Sequence, residues 1–256
     1  MKPLFRSFLD SLFYLFVFLV IQLMCNLAGS FIWVDFSHNA VGMIIASGVA
    51  ALLTIIVFAW RRWVPVDRSF LQSKPWILLC WTIILTLGTL IPSLWLEECI
   101  GVDMPEQFKQ VFEQMMSRPE GYLLIGILTP VAEEMVFRGA VLKSLLHHSA
   151  WLAIIVSSLL FGLVHGNLAQ GTHAFVLGIL LGWLYVRTGS IVPGIVLHWV
   201  NNTVAYVVCH TLPQWNDAEL KDIFGSDMHA LMAVGFSLLI LLPALFQVGQ
   251  LTRHRQ

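Results

Sequence analysis

Charge is what this sequence has least of. Only 11% of its 256 residues are Asp, Glu, Lys or Arg, while 58% are hydrophobic. A soluble domain carries about 25% charged residues, so this composition reads as an integral membrane protein. Once the apolar runs are set aside, no soluble-looking block longer than about 25 residues remains, which excludes a separate soluble domain and leaves one bundle. A net charge of −1 supplies no argument for nucleic acid, and none is expected as a partner. Cysteine is sparse too. Cys25, Cys80, Cys99 and Cys209 are scattered with no C-x-x-C, which points to neither a zinc ribbon nor a disulfide framework. Cys99 and Cys209 share the outer face in this reading, but a bridge between them is not favoured. There is no H-E-x-x-H, no internal repeat, no low-complexity tract and no lipidation signal.

What is present is a series of apolar runs. The first, from Phe8 to Val34, is well beyond the about 7–15 residues of a signal-peptide core and reads as an uncleaved span. The others are Ala40–Trp60, Pro75–Leu96, Gly121–Leu142, Ala150–Gly166, Thr172–Val186, Ile191–Cys209 and Met228–Val248. Each is near the roughly 20 residues needed to cross the hydrocarbon. The expected fold is therefore all-α: a polytopic transmembrane helical bundle of about eight spans.

Basic residues orient the spans. Lys2, Arg6, Arg61, Arg62, Arg68, Lys74, Lys143, Arg187, Arg253 and Arg255 fall on one side, joined by Arg138 near a helix end. Lys109, Arg118 and Lys221 fall on the other. Eleven against three places both termini in the cytoplasm and agrees with an even number of spans. In the outer loop Glu97–Glu120, Phe108, Val111, Phe112 and Met115 recur at helical spacing, which predicts an interfacial amphipathic helix with its polar face wet. The acidic Asn216–Asp227 segment reads as a solvated connection.

Inside one apolar run stand Glu133, Glu134 and Arg138. A charge at the bilayer centre costs about 2.5–3.5 kcal/mol on insertion scales, so an acidic pair at that depth is a functional-site hypothesis. Glu134 and Arg138, four apart with glutamate first, stack on a helix and neutralise each other. Glu133 lies about 100° round the helix, unpaired within it and turned into the bundle. Desolvation raises the pKa of such a carboxylate, which suits a general base near neutral pH. Phe161 and His165 are four apart at the end of the next span, and His198 and Asn202 are four apart in a later one. At 1.5 Å per residue Glu133 and His198 both reach the middle third of the bilayer, with His165 nearer the outer end.

Each of these positions alone has a plain structural reading, since histidine and asparagine also join membrane helices by hydrogen bonds. A second acidic pair, Glu97-Glu98, sits at a span's edge with Val102 where an arginine would be required, and reads as solvated surface. His147 and His148 lie in a cytoplasmic turn, and His38, His173, His210, His229 and His254 at loops or ends; all seven read as surface. Asn201-Asn202-Thr203 matches a glycosylation sequon but falls within a span.

Taken together, Glu133-Glu134-x-x-x-Arg138, Phe161-x-x-x-His165 and His198-x-x-x-Asn202, in that order on successive helices, resemble the three motifs of the CAAX protease and bacteriocin-processing family, also called the Abi or type II CAAX prenyl endopeptidase family. The resemblance covers roughly Gly121 to Tyr206. It implies an intramembrane glutamate-type endopeptidase in which Glu133 and His165 activate a water while His198 and Asn202 stabilise the oxyanion. Glu134, Arg138 and Phe161 would then support the site. The implied partners are the lipid bilayer and a membrane-associated or lipidated peptide or protein substrate, with no cofactor and with the cell membrane as location. It also divides the chain into N-terminal helices with the outer amphipathic segment (1–118), a catalytic core (119–209), and an outer loop with the last helix (210–256).

Three other readings stay open. Glutamate with two histidines makes a zinc site with an open fourth position. A non-catalytic membrane partner, such as a bacteriocin immunity protein or a scaffold, would keep the helices without using the chemistry. A proton-coupled transporter also uses acidic groups and histidines, although paired broken helices in two similar halves are missing. Substrate identity and oligomeric state do not follow from the sequence.

Overall fold

The computed structural model describes residues 3–64, 69–101, 103–215 and 218–253. Lys2, Arg68, Val102, Asn216, His254 and Arg255, which entered the reading above, lie outside the described residues. The described chain is helical with no strand. Its main elements are α1 (Leu4–Ile32), α2 (Ala40–Trp60), α3 (Trp76–Ile100), the amphipathic α4 (Glu106–Met116), a composite α5, α6 (Ala150–Leu163), α7 (Leu168–Thr188), α8 (Val192–Thr211) and α9 (Asp227–Leu251). Composite α5 runs without a break over 119–145, alternating α-helical turns with π-helical ones at Leu123–Leu128 and Met135–Leu142.

Local sequence sets many of these limits. The side chains of Asn39, Ser149, Asn167 and Ser226 accept backbone N–H bonds at the starts of α2, α6, α7 and α9. Pro119 and Pro193 occupy first-turn positions of α5 and α8, where a missing N–H costs nothing. Gly101 and Gly189, both at φ 67°, close α3 and α7.

Six helices are long and apolar enough to cross a membrane among the described residues: α1, α2, α3, α7, α8 and α9. Two of the eight expected spans differ. Gly121–Leu142 is helical throughout, but two π segments interrupt its α geometry. Ala150–Gly166 contracts to the 14 residues of α6, about 21 Å at 1.5 Å per residue and short of the roughly 30 Å hydrocarbon core. It stops because the chain turns back at Gly166, at φ 72°.

Every residue from Met135 to Leu142 is buried. A segment enclosed on all sides belongs at the centre of a bundle, and α1, α2, α6 and α7 all pack against it. Around it Phe137, Phe161, Leu181, Leu184 and Leu197 form the core. The outward faces stay apolar: Phe16, Leu23, Phe236 and Leu239 are all exposed, a covering suited to lipid rather than water. Helices α6 and α7 approach backbone to backbone, so that a Cβ on Gly162 would stand 2.6 Å from the Gly171 carbonyl oxygen.

Helix α4 matches its expectation, with Phe108, Val111, Phe112 and Met115 half-buried and Glu106, Gln107, Gln110 and Glu113 exposed. The connection after α8 is more ordered than its acidic sequence suggests. It contains a short helix, Leu220–Phe224, whose Leu220 is buried. No disulfide joins Cys99 and Cys209.

Candidate active site

Glu133 and Glu134 close the central α-helical turn of α5, Thr129–Glu134. Their environments differ. Glu134 is fully buried, and its Oε1 accepts a hydrogen bond from Arg138 Nη1 at 2.8 Å. Arg138 Nη2 also donates to the Gly178 carbonyl of α7 at 3.3 Å, and the guanidinium stands 4.5 Å over the Phe161 ring, a cation–π arrangement. The i,i+4 stack read from the sequence is therefore present, and Arg138 is further tied to two other helices.

Glu133 retains 13% side-chain exposure. It makes no hydrogen bond or ion-pair contact within α5 and faces His198 of α8, with Oε2 3.7 Å from Nε2. The other ring nitrogen of His198 lies 3.5 Å from Glu134 Oε1. One imidazole thus sits between two carboxylates, each close enough to attract it and neither aligned as a hydrogen bond, since His198 Nδ1 remains without one. Glu134 Oε2 and Arg138 Nε likewise find no hydrogen bond among the described residues. Buried polar atoms left open in this way are uncommon; three of them meet here, and Gln114 Oε1 on α4 is another.

Gly194, in the first turn of α8, makes the approach of that helix possible. A Cβ there would stand 2.6 Å from Glu134 Oε2.

His165 is not on a helix. Helix α6 ends at Leu163, and His165 occupies the turn that follows, where its Nδ1 meets the Phe161 carbonyl at 2.8 Å. A carbonyl only accepts, so Nδ1 carries the proton and a neutral ring presents Nε2 as an acceptor. No hydrogen bond or ion pair joins His165 to Glu133. Their link runs through the Phe161 ring, which meets His165 edge-on at 5.1 Å and His198 at 5.8 Å between centroids.

Asn202, one turn beyond His198, donates from Nδ2 to the Ile125 carbonyl of α5 at 2.8 Å. Ser157 of α6 treats the second π segment in the same way, donating to the Phe137 carbonyl at 2.7 Å. Glu133, Glu134, Arg138, Phe161 and His198 therefore form one cluster, with His165 and Asn202 at its edge. No three His, Cys, Asp or Glu side chains converge as a metal-binding set among the described residues.

Residues 119–204 match the family model of type II CAAX prenyl endopeptidase Rce1-like proteins. This segment is Rce1-like. All seven positions of the three motifs fall inside the Rce1-like segment, in agreement with the resemblance carried by the sequence, and the family implies a CAAX-type intramembrane protease. With the apolar helices around it, the Rce1-like segment belongs to a membrane protein. No curated protein and no solved structure matches the chain.

The second acidic pair departs from the surface reading at Glu97 but not at Glu98, which is exposed. Glu97 Oε1 lies 2.5 Å from His173 Nδ1, both about a quarter exposed, and Glu98 Oε1 accepts the Leu220 backbone N–H at 2.6 Å. The sequence missed these ties because their partners are 76 and 122 residues away. His148 is likewise partly buried, 3.2 Å from Ser7 Oγ.

Proposed function

We propose that the chain is an intramembrane endopeptidase that hydrolyses a peptide bond of a membrane-associated or lipidated protein or peptide. The observation that carries this reading is the facing of Glu133 and His198 from two helices at 3.7 Å in a nearly enclosed place, while Arg138 neutralises the neighbouring Glu134. Glu133 is left with a carboxylate to spend on chemistry.

In this mechanism Glu133 takes a proton from a water, and His165, whose Nε2 is left as the acceptor, orients the same water or relays its proton. The hydroxide attacks the scissile carbonyl. His198 and the second N–H of Asn202 donate to the oxyanion as it forms, a type of contact worth about 2.7–4 kcal/mol per donor. Collapse of the tetrahedral species returns the proton to the leaving amine. In this reading no step runs through a metal, and the chelator arm below tests that. The catalytic core comprises residues 119–209, flanked by an N-terminal part, 1–118, and a C-terminal part, 210–256. With composite α5 and α6, which falls short of a full crossing by its own length, the bundle has about eight membrane segments in the cell membrane, with both termini cytoplasmic.

The test uses wild-type and Glu133→Gln protein in detergent, both shown to be folded, on a library of short peptides with and without prenyl groups, with chelator in parallel. Cutting by wild type alone, unchanged by chelator, is expected. Equal cutting by both proteins sinks the glutamate mechanism, loss of cutting with chelator brings back zinc, and no cutting by folded wild type favours a non-catalytic membrane partner.

A further inference from the structure

The π turn before the acidic pair has an identifiable cause and a consequence for α8. At its end the Thr129 N–H bonds to the Leu124 carbonyl, five residues back rather than four. That shift removes from the Ile125 carbonyl the donor it would have in an α-helix. In the π frame its donor would be residue 130, which is a proline and has no N–H. The Ile125 carbonyl is stranded twice over, and Asn202 fills it from α8 at 2.8 Å. Buried carbonyls are rarely left without a donor.

The same turn of α8 engages the same turn of α5 again. Trp199 Nε1 donates to the Tyr122 hydroxyl at 3.0 Å, that hydroxyl meets Thr203 Oγ1 at 3.1 Å, and Thr203 donates to the Trp199 carbonyl at 2.7 Å. His198 precedes Trp199, and Glu133 follows Pro130 by three residues. The contacts that fix residues 199–203 against 122–125 therefore also fix His198 against Glu133.

Resting on the reading of the site given above, we propose that Pro130 is a positioning residue. By withholding an N–H it reserves the Ile125 carbonyl for Asn202, which sets the register of α8, and with it His198, against Glu133.

The test is a cycle of four full-length proteins: wild type, Pro130→Ala, Asn202→Ala and the double variant, compared by thermal unfolding in detergent and by peptide cleavage. In the wild-type background Asn202→Ala strands the carbonyl and lowers the unfolding midpoint by about 2–4 °C. With alanine at 130 supplying an N–H, the same substitution lowers it by less than about 1 °C. Pro130→Ala alone lowers kcat by about tenfold while KM stays within about twofold, because the loss is one of alignment. Equal midpoint shifts in the two backgrounds, or a kcat unchanged by Pro130→Ala, overturn the proposal. Should Pro130→Ala fail to accumulate, Asn202→Asp decides. Aspartate keeps the size, and once ionised it has no proton to donate, so at pH 8 its midpoint must fall at least as far as for Asn202→Ala, and an unchanged midpoint there overturns the tie. A wild type that cuts no peptide defeats the protease reading and leaves the unfolding cycle to judge Pro130.

Discussion

Two acidic pairs, Glu133-Glu134 and Glu97-Glu98, are the same dipeptide placed in two helices, and almost everything else about them differs. Glu134 is fully buried against Arg138, and Glu133 faces an imidazole from another helix with 13% exposure. Glu97 and Glu98 stand at the end of α3, one against His173 and the other against a backbone N–H. Both members of the outer pair are satisfied by a single good contact. In the inner pair the ion-pair contact of Arg138 goes to Glu134, whose Oε2 still lacks a hydrogen bond, while Glu133 is left facing the imidazole. A carboxylate becomes available for chemistry when its neighbour has taken the available cation and the fold has closed off water, not when two acids are adjacent.

The largest expected effect tests that distinction directly. On the mechanism proposed above, Glu133→Gln keeps the shape and removes the general base, so peptide cleavage is expected to fall by about 10²–10⁴-fold, the usual worth of general-base catalysis. Its thermal midpoint stays close to wild type. Glu97→Gln under the same assay changes cleavage by less than about tenfold, or about 1.4 kcal/mol. An equal loss in both variants would mean that the two pairs are one electrostatic unit.

Next comes the stability of the inner pair. Arg138→Met leaves Glu134 buried without its cation, and breaking a buried pair from one side costs about 3–5 kcal/mol. The expected result is poor accumulation or a strongly lowered midpoint. Adding Glu134→Leu recovers most of the loss, because removing both charges together is close to neutral. If the double variant is as unstable as the single one, the tie from Arg138 to the Gly178 carbonyl carries the stability instead of the charge pair.

A smaller effect is expected at Gly194, where α8 passes Glu134. Gly194→Ala puts a methyl group 2.6 Å from Glu134 Oε2, and overpacking of this kind costs about 1–3 kcal/mol. The displaced carboxylate shifts His198 with it, so cleavage falls along with the midpoint. A glycine with nothing packed against it provides the control: Gly235 has open space at its Cβ position, and Gly235→Ala changes neither measurement.

The contrast between the pairs was only partly legible in the sequence. Local spacing fixes what local geometry controls. Glu134 and Arg138 are four apart and do pair, Phe108 to Met115 do line one face of α4, and the limits of α2 fall where the apolar run begins and ends. The π turns were not legible, because Pro130 announces a missing N–H without saying that Asn202, 72 residues on, will take the freed carbonyl. The place of His165 was not legible either. Four-residue spacing from Phe161 implies a continuing helix, and the chain instead turns at Gly166. At Glu97 the tie to His173, and at the exposed Glu98 the tie to Leu220, were hidden for the same reason, since both partners arrive only through the tertiary fold.

The smallest effect belongs to the outer pair and its loop. Glu98 caps the first turn of Leu220–Phe224 from another helix, so Glu98→Ala should cost about 0.5–2 kcal/mol, as for a lost helix cap. Glu98→Gln retains an acceptor oxygen and should cost less. Beside that cap the exposed Lys221 ammonium lies 2.5 Å from Glu219, whose hydrogen bond holds its pKa above the ordinary lysine value. A pKa raised on folding contributes stability that is fully present below the unfolded value and is lost as pH rises through the folded one. Both values lie well above neutrality, so the midpoint difference between wild type and Lys221→Met should not vary between pH 6 and 9, and should narrow only on the alkaline side. Thermal unfolding of Glu98→Ala, Glu98→Gln and Lys221→Met across that range reads both effects. A pH-dependent difference near neutrality in the Glu98 variants alone would move the titrating group to the adjacent Glu97–His173 pair and make the outer pair more than a fastening.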